Sequence, residues 1–269
     1  MNRDNEGFGH ITEKELYILE RKNMKNRQKA LTKEEWSRYC QIDLLEGVKE
    51  NIDKDKVSCW SRELLRLTSV GERCCEIGCG TGQTSAYLAK HERNITAIDY
   101  SEDSILLINE LAKSMRRKID ARCIDATGKM PFRDNEFDTI FHCGLLEHFE
   151  KKEQISMLKN WRRYSRRMIS MVPNAASLPY RIGKKILEDN GKWGYGLEIP
   201  QFSMIDKFIA AGYSDIQEYT IGTDHALKFL PQEHYLKNTF TKMLEEGYDL
   251  NTMWQGYLLV TIGTNSNYQ

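Results

Sequence analysis

The spacing of apolar positions changes near residue 73. Before that point it is helical: SCWSRELLRLTSV sets Trp60, Leu64, Leu65 and Leu67 on one face. LTKEEWSRYC carries Thr32 with Glu35 three residues on, a capping-box signature for a helix start. ITEKELYILERKNMKNRQKAL, rich in Lys, Glu and Leu, reads as a further helix. From 73 onward, short apolar runs alternate with longer amphipathic ones. RCCEIGC (73–79), NITAID (94–99), IDARCIDA (119–126), FDTIFHCG (137–144) and RMISMVP (167–173) predict strands. TGQTSAYLAKH (81–91), SEDSILLINELAKSMRRK (101–118) and KKEQISMLKNWRRYSRR (151–167) predict helices. Ser101 is placed as an N-cap, with acids in the turn that follows.

Strands alternating with helices predict right-handed crossovers and a mostly parallel sheet covered on both faces, an α/β fold. The alternation lapses over 174–201, which holds four Gly and two Pro and reads as an irregular lid insertion. It resumes with a helix at about 202–211 and a strand at about 214–221, and GYLLVTIGT (256–264) supplies a last strand. The expected organisation is an N-terminal helical cap over 1–70 and one α/β domain over 71–264.

Composition narrows the function classes. Lys+Arg and Asp+Glu number 39 each, so the bulk charge does not favour a polyanion partner, and nucleic acid is not the expected substrate. No apolar run approaches the roughly 18–20 residues of a membrane span. The opening MNRDNEGFGH has no apolar signal core, so a cytoplasmic location is expected. Seven Cys, several in strand-like runs, read as reduced buried thiols. Cys75 and Cys79 are not spaced as CxxC, and no second Cys/His pair completes a zinc site, so no metal is expected.

The strongest chemical signal is Glu76-Ile77-Gly78-Cys79-Gly80-Thr81-Gly82, at the end of the first strand and the start of a helix. Closely spaced glycines let a backbone turn tightly and approach a ligand. A dinucleotide fingerprint needs GxGxxG, and the third slot here is Gln83, which weakens a nicotinamide or flavin reading.

With ITAIDYS and CIDATGKMPFRDNEFDTIFHCGLLEHF following in order, roughly residues 60–264 resemble the class I S-adenosylmethionine (SAM)-dependent methyltransferases. The resemblance implies a Rossmann-like seven-stranded sheet of order 3-2-1-4-5-7-6 with the seventh strand antiparallel. It implies SAM as cofactor, with S-adenosylhomocysteine (SAH) as product. Glu76, Gly78, Cys79, Gly80 and Gly82 become its loop. Asp99, followed by Tyr100, becomes the carboxylate for the ribose hydroxyls, and Asp125 and Ala126 the flanks of the adenine ring. His142, inside the fourth strand, is either a cofactor neighbour or a satisfied core histidine.

A sulfonium methyl is already activated, so positioning of the nucleophile carries most of the rate, and a base matters only where a proton must leave. His148 and Glu147, just after the fourth strand, are the candidate catalytic pair, with packing or capping as the other reading of His148. His225 and His234 flank Pro231 within reach of the cleft. Some small-molecule relatives hold a divalent cation through an acid three residues before this Glu; here that residue is Gly144.

From Ile155 to Leu187 there is no Asp or Glu. Arg181 and Lys184, with Tyr180, Trp193 and Tyr195, would suit a small anionic or aromatic acceptor. The expected activity is methyl transfer from SAM to such a molecule. An RNA or protein methyltransferase and a non-catalytic SAM-binding partner protein are the alternatives. Oligomeric state is not readable.

Overall fold

The computed structural model describes residues 29–250 and 253–266. The sheet follows from the apolar runs. β1 (Arg73–Ile77), β2 (Asn94–Asp99), β3 (Ile119–Cys123), β4 (Phe137–Cys143), β5 (Ser165–Pro173), β6 (Ser214–Ile221) and β7 (Leu258–Thr264) form one sheet. Its order is β3-β2-β1-β4-β5-β7-β6. β7 runs antiparallel to both β5 and β6, and the other pairings are parallel.

β1 lies at the centre because both of its faces are apolar. Cys75 joins Ile98, Ile140 and Trp161 on one side of the sheet, while Cys74 joins Leu88, Phe141 and Ile169 on the other. A strand covered on both faces reads as an unbroken apolar run. The same burial pushes the Cys75 thiol up, away from the reactive thiolate. All seven cysteines are unpaired by disulfides.

The helices are α1 (Lys33–Ser37), α2 (Leu45–Asp53), α3 (Cys59–Leu67), α4 (Gln83–Lys90), α5 (Glu102–Ser114), α6 (Lys151–Trp161), α7 (Leu178–Asp189), α8 (Ile205–Ala211) and α9 (Tyr235–Glu245). α1 forms the expected capping box. The Thr32 hydroxyl accepts from the Glu35 amide at 3.3 Å, and the Glu35 carboxylate accepts from the Thr32 amide at 2.8 Å. The helix read from 11–31 lies almost wholly outside the described residues. α2 is an addition to the sequence reading. Its Val48 and Ile52, one turn apart, pack on Tyr87 of α4 and Leu111 of α5. α3 sends Leu64 into the cluster of Cys74, Phe141 and Val260.

One expectation is corrected. The stretch 174–201 is not irregular throughout, because α7 occupies 12 of its residues. Pro179 sits in the first turn, where no intrahelical N–H is needed. Gly183, which argued against a helix, is there for space: a Cβ would lie 2.4 Å from the carbonyl oxygen of Phe229. α9 was likewise unread; Leu236, Phe240 and Met243 back it onto Leu230, Leu250 and Trp254. Among the described residues, no helix is long and apolar enough to cross a membrane.

Candidate active site

The strand order reverses between β2 and β4, on either side of β1, and this opens a crevice at their carboxyl ends. The glycine loop fills its floor. The amides of Gly78 and Cys79 both donate to the Ile98 carbonyl, at 2.9 and 3.0 Å, which pins the loop to β2. Gly78, Gly80 and Gly82 all have positive φ. At Gly82, with φ 71°, a Cβ would also meet Ile108 Cγ1 at 2.7 Å, so the loop can pack on α5 only without a side chain.

Glu76 is turned inward. It is 4% exposed and accepts from the Ser85 hydroxyl, so it braces β1 against α4 and is not open to the crevice. Burial pushes its carboxyl up to about 8.

Asp99 stands at the tip of β2. Its Oδ2 accepts from the Gly80 amide and its Oδ1 from the Ser101 amide, each at 2.9 Å. Desolvation raises its pKa, partly offset by these two bonds. Each oxygen retains capacity for one more donor, which fits a pair of vicinal hydroxyls. Tyr100 follows it, its hydroxyl pushed up to about 12, mainly by burial. Ser101 caps α5 as expected, accepting from the Ser104 amide at 3.4 Å. Asp125 is exposed and closes its own turn, accepting from the Thr127 amide at 2.9 Å and hydroxyl at 2.7 Å. The Ala126 carbonyl accepts from the Trp161 indole at 2.9 Å, which fixes this wall against α6.

His142 resolves toward the core. It is fully buried in β4 with its ring 5.9 Å from that of Trp161, and burial alone drives its pKa down to about 3. It is a neutral packing residue, and both its ring nitrogens lack a partner among the described residues.

Two segments close over the crevice. The first is a strap, residues 29–44, containing α1. The Ser37 hydroxyl lies 2.7 Å from that of Ser101, and Gln41 donates to Asp103 at 3.1 Å. Cys40 Sγ lies over the glycine loop, 3.9 Å from where a Cβ on Gly80 would be. The second is the loop after α7. The strap and this loop hold each other: the Tyr39 hydroxyl donates to the Gly194 carbonyl at 2.7 Å, and the Leu197 amide to the Lys29 carbonyl at 3.2 Å. The Tyr39 and Tyr195 rings stack at 5.7 Å, and Trp193 meets Tyr195 edge-on at 5.2 Å. Sequence reasoning missed Trp36, Tyr39 and Cys40, because their place depends on contacts with residues far along the chain.

Glu147 and His148 form a 3-10 turn directly after β4 (Leu146–His148). Glu147 is 2% exposed, and its Oε2 has no partner among the described residues. Burial, then the nearby Glu198, pushes its carboxyl well up. His148 Nδ1 lies 2.6 Å from the Leu197 carbonyl, its ring meets Trp36 at 5.0 Å, and its Nε2 lies 3.8 Å from Glu147 Oε1. Burial lowers its pKa, so it is neutral. The imidazole thus ties the lid loop to the end of β4.

Lys184 is already paired, which corrects its reading as a cation open to an anion. Its ammonium lies 3.0 Å from Glu198, 3.7 Å from Glu188 and 4.6 Å from the centre of the Trp193 ring. Tyr180 donates to the same Glu198 oxygen. Glu198 was not singled out from sequence, although its burial beside a lysine makes it central here. Arg181 is half-buried and enters no ion pair among the described residues. Of the other histidines, His225 stacks on Tyr257 at 5.2 Å inside the aromatic wall. His234 caps α9, accepting from the Leu236 amide at 3.3 Å. Among the described residues no group of three His, Cys, Asp or Glu is placed to hold a metal ion.

Comparison with known proteins agrees with this geometry. Residues 75–167 match the model of a methyltransferase domain family. The ubiquinone biosynthesis O-methyltransferase of Coxiella burnetii is 32% identical over 96 residues, 35% of this chain and 39% of the relative. The match thus spans well under half the length of that relative. Among solved structures, the PH0226 protein from Pyrococcus horikoshii OT3 superposes with a TM-score of 0.55 at 18% identity, covering 78% of this chain and 90% of that one. Geranyl diphosphate C-methyltransferase from Streptomyces coelicolor A3(2) does so with a TM-score of 0.53 at 12% identity, covering 77% and 78%. At these identities the likeness is one of fold. Residues 75–167 are thus a methyltransferase domain by family match, set in a chain whose sheet order and glycine loop are those the resemblance to the class I SAM-dependent methyltransferases implied.

Proposed function

We propose that the protein transfers the methyl group of SAM to a small-molecule acceptor and releases SAH. The observation that carries this reading is the coupling of Gly80 to Asp99 at 2.9 Å, which sets a left-handed glycine loop beside a carboxylate with spare acceptor capacity. Bound SAM supplies a methyl already activated on a sulfonium sulfur. The chain supplies position. Asp99 orients the ribose, the glycine loop admits the amino-acid portion, and Ala126 with Asp125 flanks the adenine. The strap excludes water from above, where its hydroxyl at Ser37 meets Ser101.

The acceptor half of the reading rests on the strap and on α7 with its following loop. Both lie outside residues 75–167, so they are private to this chain relative to the matched domain. In this reading residues 29–44 act as the cap of an α/β domain. Trp36, Tyr39, Trp193 and Tyr195 support a planar acceptor body. The cation chosen for an anionic acceptor, Lys184, supports it less, since protein carboxylates already neutralise it. Glu147, with one unpartnered oxygen, is the candidate proton acceptor, and His148 positions the lid. The relative named for O-methylation is matched over too little of its length to carry its acceptor across.

The test is transfer of labelled methyl from SAM into a fractionated extract of the source cell, with Asp99→Ala as control. Label in the small-molecule fraction, lost in the variant, is the expected result. Label in RNA or protein would overturn the acceptor class and leave the donor intact.

A further inference from the structure

Resting on that reading, we propose that the acceptor is an amine carried on a planar apolar body, bound as its ammonium against Glu147. The argument starts from the unpartnered oxygen. Glu147 Oε2 is buried without a donor among the described residues, in a side chain 2% exposed. A buried carboxyl oxygen left unmatched costs on the order of 1–3 kcal/mol, more when charged, so the site calls for a donor.

Charge decides which donor. The groups around Glu147 are Glu198, Lys184, His148, Tyr180, Tyr257 and Cys143. Burial keeps the imidazole neutral and pushes both phenols and the thiol upward, so those four carry no charge. Two carboxyls therefore face one ammonium. That ammonium, Lys184, is held 3.0 Å from Glu198, with Glu188 a further carboxylate at 3.7 Å. Burial keeps the Glu147 carboxyl protonated while no cation pairs with it, so Glu147 is the carboxyl with no cation of its own. A hydroxyl would fill the hydrogen bond and leave Glu147 neutral; an ammonium fills the hydrogen bond and supplies the cation beside which Glu147 ionises.

The walls support the same choice. Lys184 lies 4.6 Å from the Trp193 ring centre, so this box already stabilises one ammonium by a ring face and a carboxylate. Trp36 and Tyr39 from the strap and Tyr195 from the lid offer further ring faces for a planar body.

The step balances. The ammonium gives one proton to the Glu147 carboxylate and becomes a neutral amine with a lone pair. That pair forms the new N–C bond to the methyl as the C–S bond breaks, and the C–S electron pair stays on sulfur, giving SAH. The methylated nitrogen carries the positive charge that the sulfonium loses.

The experiment is calorimetric titration of the SAH-loaded protein with three probes of one shape: tryptamine, neutral 3-ethylindole, and anionic indole-3-propionate. Tryptamine is expected to bind about tenfold or more tightly than either of the others. In Glu147→Gln that preference should collapse to roughly threefold or less, with SAH affinity unchanged. If the variant fails to fold, the wild-type comparison alone decides. Equal or tighter binding of the neutral or anionic probe overturns the proposal, as does binding of none of the three. Absence of SAH binding in the first titration would instead overturn the methyltransferase reading, and the three probes run without SAH would still report on the cation site.

Discussion

The hydroxyls of Ser37 and Ser101 meet at 2.7 Å across 64 residues of sequence. Ser101 lies two residues beyond Asp99 and caps α5, so the strap is latched to the backbone turn that presents the Asp99 carboxylate. The latch is a hydrogen bond between half-buried neutral groups, worth about 0.5–1.5 kcal/mol. Ser37→Ala is expected to weaken SAH binding by roughly three- to tenfold, mostly through faster release. Stopped-flow displacement of SAH measures this, and an unchanged release rate would show that the strap does not hold the cofactor.

Asp99 holds two backbone amides and, in the proposed function, the ribose as well; the variants separate the two roles. Asp99→Ala orphans the Gly80 and Ser101 amides as well as the ribose, so both SAH affinity and thermal stability should fall, affinity by at least about tenfold. Asp99→Asn keeps one carbonyl oxygen and should retain more stability than affinity. Titration and melting of the two variants side by side check this. An Asn variant that binds SAH as wild type would remove Asp99 from the ribose.

Gly82 is fixed by space as well as by φ. Ala there would sit in the left-handed region, about 1 kcal/mol of strain, with its Cβ 2.7 Å from Ile108 Cγ1. Overpacking adds about 1–3 kcal/mol. Gly82→Ala should therefore lower the thermal midpoint markedly. Adding Ile108→Ala should not restore what the Ala variant lost, since it relieves the clash but leaves φ strained and truncates a fully buried side chain. Full recovery would mean that φ carries no cost here.

Much of this architecture was legible because parallel strands buried on both faces show as unbroken apolar runs, as RCCEI does at β1. The glycine turn and the place of Asp99 at the tip of β2 were legible because each is local to its own strand end. The acceptor side was not. Tyr39 acquires its role from Gly194, 155 residues away, and Lys184 looked available because its partner Glu198 lies past an irregular loop. α7 was hidden by Gly183, whose reason is the carbonyl of Phe229 and not a turn of its own. His142 showed the reverse: its apolar neighbours in FDTIFHC already pointed to the core.

Lys184 and Glu198 form a buried pair, each with a side chain 5% exposed. Removing one partner leaves an uncompensated charge, which costs about 3–5 kcal/mol. Lys184→Met and Glu198→Gln should each therefore destabilise the lid, visible as a lower thermal midpoint and faster proteolysis near residues 190–199. The double variant should be more stable than the sum of the singles predicts, because neither charge of the buried pair is left behind without the other. Additive losses would mean that the two groups do not depend on each other.

Glu76 gives a pH signature with a definite sign. Its carboxyl titrates near 4.5 when unperturbed and at about 8 when buried behind the glycine loop. Below about pH 4.5 it is protonated in both the folded and the unfolded chain, and the buried neutral form costs nothing extra. As pH rises from there the unfolded chain releases the proton while the folded chain keeps it. The unfolded state gains, and stability falls across that window until the folded group also ionises near 8. Glu76→Gln carries no such proton, so the thermal midpoint of the variant should gain on wild type steadily from about pH 5 to about pH 8 and then run parallel to it. Comparing the two proteins cancels the other titrating groups, Asp99 and Glu147 included, which both retain. A difference that stays flat across the window would mean that Glu76 is ionised in the folded protein, and that the Ser85 hydroxyl and the loop stabilise its charge more than burial opposes it.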